Sequence, residues 1–445
     1  MAREKVKNGL VETLIALASS REAVLFAAIF LVYMLNPVVV SSTDATPARL
    51  LPLSIIRERD FDLDEFTFLY ENKSELPYYL KNIEGRIVST YPVFTPLLAT
   101  PVYLLPALTG LDIQSDNVIL LAKISAALMT AISCLFIYWT VKRCASEKTA
   151  LLVTAVYAFG TSNWTISSQD LWQHGPGELF IAMSIYLLIR GLTEEKWIKY
   201  AGFTLAAATV IRPTNGMIAV VLTAYVLMEQ RKHFVKYLMC ATPPIMALMA
   251  YSQAYLRSVL LMGQMQDPSS LWNNPLLEGL LGLLASPGKG LLSYSPVFIL
   301  SFIGALMLWR GEKSALKIQL RYCAIAAAAF ILLYSKREYW DGCHPYGPSR
   351  YLIEIMPLLC ILLAGPVERM LKGRKLGLIL MGLVALSILT QFAEITDFGG
   401  GDGGTYRIDN LICKREGGRN DYWWDASSMP AVRYARKILS GLGGI

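Results

Sequence analysis

The chain has 445 residues, of which 54% are hydrophobic and 17% charged. Soluble domains carry about 25% charged residues, so an ordinary soluble enzyme is excluded and an all-α polytopic membrane protein is expected. The net charge of +7 sits in short clusters between apolar runs. No basic patch is interleaved with aromatics, so nucleic acid is not an expected partner. Seven Cys without Cys-x-x-Cys spacing, beside only three His, argue against a zinc or redox centre.

A membrane span needs roughly 20 apolar residues. In chain order the apolar runs predict eleven, at 22–41, 117–141, 149–163, 176–192, 198–212, 215–230, 235–256, 293–309, 318–334, 351–368 and 375–393. The pair 198–212 and 215–230 can also be read as one broken element. The first run is long enough to span and lacks a small-residue cleavage site, so it is expected to be retained. With the N-terminus inside, every inner loop is short and basic, as at Lys142 and Arg143 or at Arg231, Lys232 and Lys236. That satisfies the positive-inside rule. The expected division is a transmembrane domain over 1–393 and a short outer tail over 394–445. Span interiors read as nearly free of charge, with Lys123 the main exception.

The outer segments are far larger than an inert bundle needs. The first runs over about 42–116. Its stretch Pro47-Ala-Arg-Leu-Leu-Pro-Leu-Ser-Ile-Ile has helical apolar spacing and is expected to lie in the interface plane. A second apolar stretch, 94–108, contains Pro96, Pro101 and Pro106. It is too broken to span and is expected to be a half-buried or interfacial helix.

Six polar motifs fall on this outer side. In Ser42-Thr-Asp-Ala-Thr-Pro-Ala-Arg49, the local residues read first as a helix cap at Thr43 or Asp44. Equally, Asp44 at the membrane surface suits a general base for an acceptor hydroxyl. The run Asp60, Asp62, Asp64, Glu65 lacks an EF-hand pattern and reads as a solvated or Arg-paired face, with room for a divalent cation. Ser167-Ser-Gln-Asp-Leu-Trp-Gln-His-Gly-Pro176 gathers Asp170, Trp172, Gln173 and His174, which suits a sugar or phosphate as well as an interfacial belt. Arg212 in Ile211-Arg-Pro-Thr-Asn215 ends a span, where a cation either snorkels or pairs with a lipid phosphate. Ser286-Pro-Gly-Lys-Gly carries Lys289 on a turn able to cradle phosphate, without P-loop spacing. The last motif, Tyr339-Trp-Asp-Gly-Cys-His-Pro-Tyr-Gly-Pro-Ser-Arg350, offers Trp340 and Tyr346 as ring-stacking faces with Arg350 beside them. Cys343 and Cys413, the two outer Cys, either pair as a disulfide or stay free. Placement on one side predicts a single outer pocket at membrane level.

The order of these motifs resembles the GT-C superfamily of integral membrane glycosyltransferases, which includes the protein O-mannosyltransferases and the bacterial aminoarabinose transferases. The residues that carry the resemblance are Pro47-Ala-Arg-Leu-Leu-Pro, Asp62-Leu-Asp-Glu-Phe, Tyr91-Pro-Val-Phe-Thr-Pro, Leu171-Trp-Gln-His-Gly-Pro, Arg212-Pro-Thr-Asn, Ser286-Pro-x-x-Gly-Leu and Tyr346-Gly-Pro-x-Arg. They cover about 20–370. The resemblance implies a sugar donor linked to a polyprenyl phosphate, an acceptor among lipids, glycans or proteins, and transfer with inversion. It implies a bacterial inner membrane with the site facing the periplasm or exterior. Asp44 matches the family's catalytic acid. Arg212, Arg350, Lys289 and His174 become candidates for the donor phosphate. Arg49, Tyr91, Asp170, Trp172, Gln173, Trp340 and Tyr346 become candidates for the sugar. A metal is not required. Ser349 interrupts the more usual Gly-Pro-Arg, so the aim of Arg350 is the point of departure. A lipid-linked glycan transporter and an oligosaccharide polymerase or ligase are the competing readings.

Overall fold

Serine starts three of the helices: Ser20, Ser146 and Ser314 each accept a hydrogen bond from a backbone N–H in the first turn. These caps lie in the loops expected inside, and charged pairs tie those loops together. Arg21 meets Glu147 at 2.8 Å, Lys232 meets Glu195 at 2.5 Å, and Ser146 Oγ donates to Glu368 at 2.6 Å. One end of the bundle is thus a ring of basic loops. The computed structural model describes residues 20–36, 41, 43–71, 74–113, 116–258, 272–310, 312–342, 349–397, 424–429, 432, 434–436 and 439. His344, Tyr346, Cys343 and Cys413 lie outside the described residues, so the disulfide expectation does too.

Each of the eleven expected spans coincides with a helix. They are α1 (Arg21–Met34), α4 (Asp116–Lys142), α5 (Glu147–Phe159), α6 (His174–Gly191), α7 (Ile198–Ile211), α8 (Gly216–Glu229), α9 (Phe234–Tyr255), α12 (Ile299–Met307), α13 (Ala315–Ser335), α14 (Met356–Met370) and α15 (Arg374–Asp397). Among the described residues, five are long and apolar enough to cross a membrane by length and composition, counted with their short flanking turns. At 1.5 Å per residue α4 is about 40 Å long, more than a hydrocarbon core needs. The helix that begins with the turn Arg350–Ile355 and continues as α14 is the hub, with 89% of its apolar window buried. By contrast α9 is at the rim, with 17% of its window buried. Met239 and Met246 on it are exposed, as a lipid-facing helix requires.

The first outer loop folds back on the bundle. Its interfacial stretch forms α2 (Thr46–Arg57), and 94–108 forms α3 (Phe94–Leu108), continuous through Pro101 and Pro106. Between them is an antiparallel hairpin, Leu80–Ile83 with Arg86–Ser89, in the register Leu80↔Ser89. The acidic run pairs along it: Leu63 N donates to Ile87 O, and Ile87 N donates to Asp64 Oδ1 at 2.6 Å. Ser54 donates to Glu65 at 2.6 Å. Asp64 and Glu65 stay exposed, in keeping with the expected solvated face, while Asp62 is buried. Leu63 and Phe66 are buried anchors, and Asp64 and Glu65 serve the hairpin and α2. The helix-cap reading of Asp44 is corrected: α2 begins after Ala45 with no side-chain cap.

Candidate active site

The hairpin brings two phenols to one carboxylate. Leu80 faces Ser89, so Tyr78 and Tyr91 stand opposite one another just beyond the paired residues. Tyr78 Oη donates to Asp44 Oδ1 at 2.5 Å, and Tyr91 also hydrogen bonds to Asp44. The other carboxylate oxygen, Oδ2, accepts from Arg350 Nη1 at 2.6 Å. This pair joins residues 306 positions apart and closes the first outer loop onto the head of the hub helix. Burial pushes the Asp44 carboxyl up, but the Arg350 charge, backed by hydrogen bonds from Tyr78, Arg350 and Tyr91, outweighs it and holds the group at about 2. Asp44 is thus ionised at any physiological pH.

Arg350 is placed by its neighbours. Ser349 N donates to Lys289 O at 3.1 Å, and Ser349 Oγ donates to Trp340 O at 2.6 Å. A Cβ on Gly342 would meet Arg350 Cγ at 3.0 Å, and Gly342 has φ +86°. Only glycine takes that backbone without strain. The guanidinium then lies over Trp172, 5.2 Å from the ring centroid, and 5.9 Å from that of Tyr351.

Tyr351 collects two further cations. Arg212 Cζ is 5.8 Å and Arg337 Cζ 5.0 Å from its centroid. Arg212 is fixed by Glu354 at 2.7 Å and by the Tyr334 hydroxyl at 2.8 Å. His174 stands between Glu354 and Arg212: its Nδ1 lies 2.8 Å from Glu354 Oε1, and both ring nitrogens are within reach of Arg212 Nη1. Arg337 has no carboxylate within ion-pair distance among the described residues, and its buried Nε lacks an acceptor there. Among the described residues, three arginines around one ring are therefore matched by two carboxylates, Asp44 and Glu354.

Of the predicted residues, the structure brings together Asp44, Tyr91, Trp172, His174, Arg212 and Arg350. Arg49 and Asp170 form a buried ion pair of their own, 3.0 Å apart, which ties α2 to the segment before α6. Gln173 is half-buried next to Trp172. Lys289 is fully buried and supports Ser349 through its carbonyl. The Trp340 ring is wholly buried against Gly282, where an added Cβ would approach within 2.6 Å, and its carbonyl accepts from Ser349. Sequence reasoning missed Tyr78, Arg337 and Glu354, and it missed Glu178, fully buried in α6 and hydrogen-bonded by Ser167 Oγ at 2.8 Å. The expectation of nearly charge-free span interiors is corrected by these two glutamates. A carboxylate inside an apolar run was the available signal.

The family described as dolichyl-phosphate-mannose-protein mannosyltransferase matches residues 100–254. Among solved structures, ArnT from Cupriavidus metallidurans bound to undecaprenyl phosphate is similar, with a TM-score of 0.57 and 12% identity. That match covers 87% of this chain and 67% of the other. The same protein in the apo state gives a TM-score of 0.55 at 12% identity, over 92% of this chain and 68% of the other. No curated protein matches the chain.

Proposed function

We propose, from the premise that the chain is the GT-C membrane glycosyltransferase its fold and family match indicate, that it moves a sugar from a polyprenyl-phosphate donor to a hydroxyl of a lipid, glycan or protein acceptor. The reaction takes place on the extracytoplasmic side of a bacterial inner membrane. The observation that carries the reading is the contact of Asp44 with Arg350, inside a cluster whose arginines outnumber its carboxylates. A phosphodiester brings one negative charge, which matches the surplus. Charge on the leaving phosphate is stabilised by cations in a water-poor site. Among the described residues, Arg350 and Arg337 each keep a buried Nε without an acceptor, a donor available to it. Arg212, engaged by Glu354 and Tyr334, shapes the wall of the site.

Asp44 takes the proton of the acceptor hydroxyl, and the acceptor oxygen attacks the anomeric carbon from the face opposite the phosphate. The indole of Trp172, the amide of Gln173 and the hydroxyl of Tyr91 border the place where the sugar sits.

The test is direct. The purified chain in lipid nanodiscs is incubated with a panel of polyprenyl-phosphate sugars, and release of polyprenyl phosphate is followed. One donor is expected to support release, and Asp44→Asn to lower the rate by about 10²–10⁴-fold, the range for loss of a general base. Release at an unchanged rate in Asp44→Asn overturns the mechanism.

A further inference from the structure

At rest the proposed base is held by the same group that the donor needs. Asp44 Oδ2 accepts from Arg350 Nη1 at 2.6 Å, and Oδ1 accepts from Tyr78. Arg350 meanwhile keeps a buried Nε with no acceptor among the described residues, and its guanidinium stands 5.9 Å from the Tyr351 centroid, with that of Arg337 at 5.0 Å. Two anions, the carboxylate and a phosphate, thus compete for one fork of N–H donors. We propose that the donor phosphate draws Arg350 off Asp44, so that donor binding itself activates the base and the donor adds before the acceptor. This rests on the reading of the cluster as a polyprenyl-phosphate site.

The charge flow is consistent with this exchange. With Arg350 turned to the phosphate, Asp44 loses its nearest cation and gains proton affinity. As the acceptor oxygen bonds to the anomeric carbon, the bond from that carbon to the phosphate oxygen breaks. The electron pair stays on the phosphate, which goes from one negative charge to two, and the acceptor proton passes to Asp44. The growing charge holds Arg350 through the step. When polyprenyl phosphate departs, Asp44 returns its proton to water and the ion pair re-forms. Without the donor, the carboxylate stays a poor base, which protects the site from futile chemistry.

The probe is undecaprenyl phosphate, titrated onto the full chain in nanodiscs. Asp44→Asn is expected to bind it about three- to tenfold more tightly than the wild type, since the competing anion is gone. In the background of Arg350→Gln, the same change is expected to bring no gain. Asp44→Ser is a second neutral replacement with the same expected sign, should the amide variant not fold. Equal or weaker binding by both neutral variants, with the wild type still binding, overturns the exchange and leaves the donor site standing. Absence of binding by the wild type overturns the donor site as well.

Discussion

Asp44 draws its chemistry from partners that sequence distance hides: Tyr78, Tyr91 and Arg350. Its carboxyl is held at about 2, below the value near 3.9 of an unfolded chain. A group lowered in this way contributes stability that is fully present above about pH 4 and is lost as pH falls through about 2. The contribution is on the order of 2 kcal/mol. Thermal melts of the wild type and Asp44→Asn without donor are therefore expected to differ by a constant gap above pH 5. The gap should close as pH falls from about 4 toward 2. A gap that widens on acidification contradicts the assigned pairing. Asp44 was legible as a candidate from its place after the first span. Arg350 was legible as a cation, and the resemblance suggested phosphate as its target. That the two are each other's counter-ions was not legible, because nothing in a one-dimensional pattern registers a contact across 306 positions.

At the scale of elements, hydropathy located the helices because each apolar run had to bury or face lipid, and no backbone group in a span can remain unpaired. The motif ends were also legible, since Pro213 and Pro296 sit where helices restart. Less legible was the hairpin that carries Tyr78 and Tyr91, since Leu80–Ile83 and Arg86–Ser89 are only four residues each. Glu354 was missed for the opposite reason: it lies inside a run apolar enough to be read as packing alone. The segment that ends in Gly342 sets the aim of Arg350, so a change there tests the element rather than the charge. Gly342→Ala places a Cβ at positive φ and against Arg350 Cγ. The backbone cost is about 1–2 kcal/mol. Transfer is expected to fall at least about tenfold through displacement of Arg350, while the bundle stays folded by circular dichroism. Wild-type transfer in Gly342→Ala contradicts the role given to this turn.

The whole molecule has two unlike ends. One is ringed by the ion pairs of Arg21, Glu147, Lys232 and Glu195, and the other holds Asp44, Glu354 and the arginines around Tyr351. Inner-loop charge and outer-loop motifs predict two such unlike ends, since each inner loop is expected to be basic and each polar motif to avoid the hydrocarbon. The hub helix explains how distant segments meet: its first residues supply Arg350, Tyr351 and Glu354, which contact Asp44, Trp172, His174 and Arg212. The most direct measurement is an experimental structure of the chain with bound undecaprenyl phosphate. The account predicts the phosphate within hydrogen-bond distance of Arg350 and Arg337, with the Asp44 carboxylate facing the same cavity. Phosphate held at the basic inner loops, or at the outer end but away from both arginines, contradicts it.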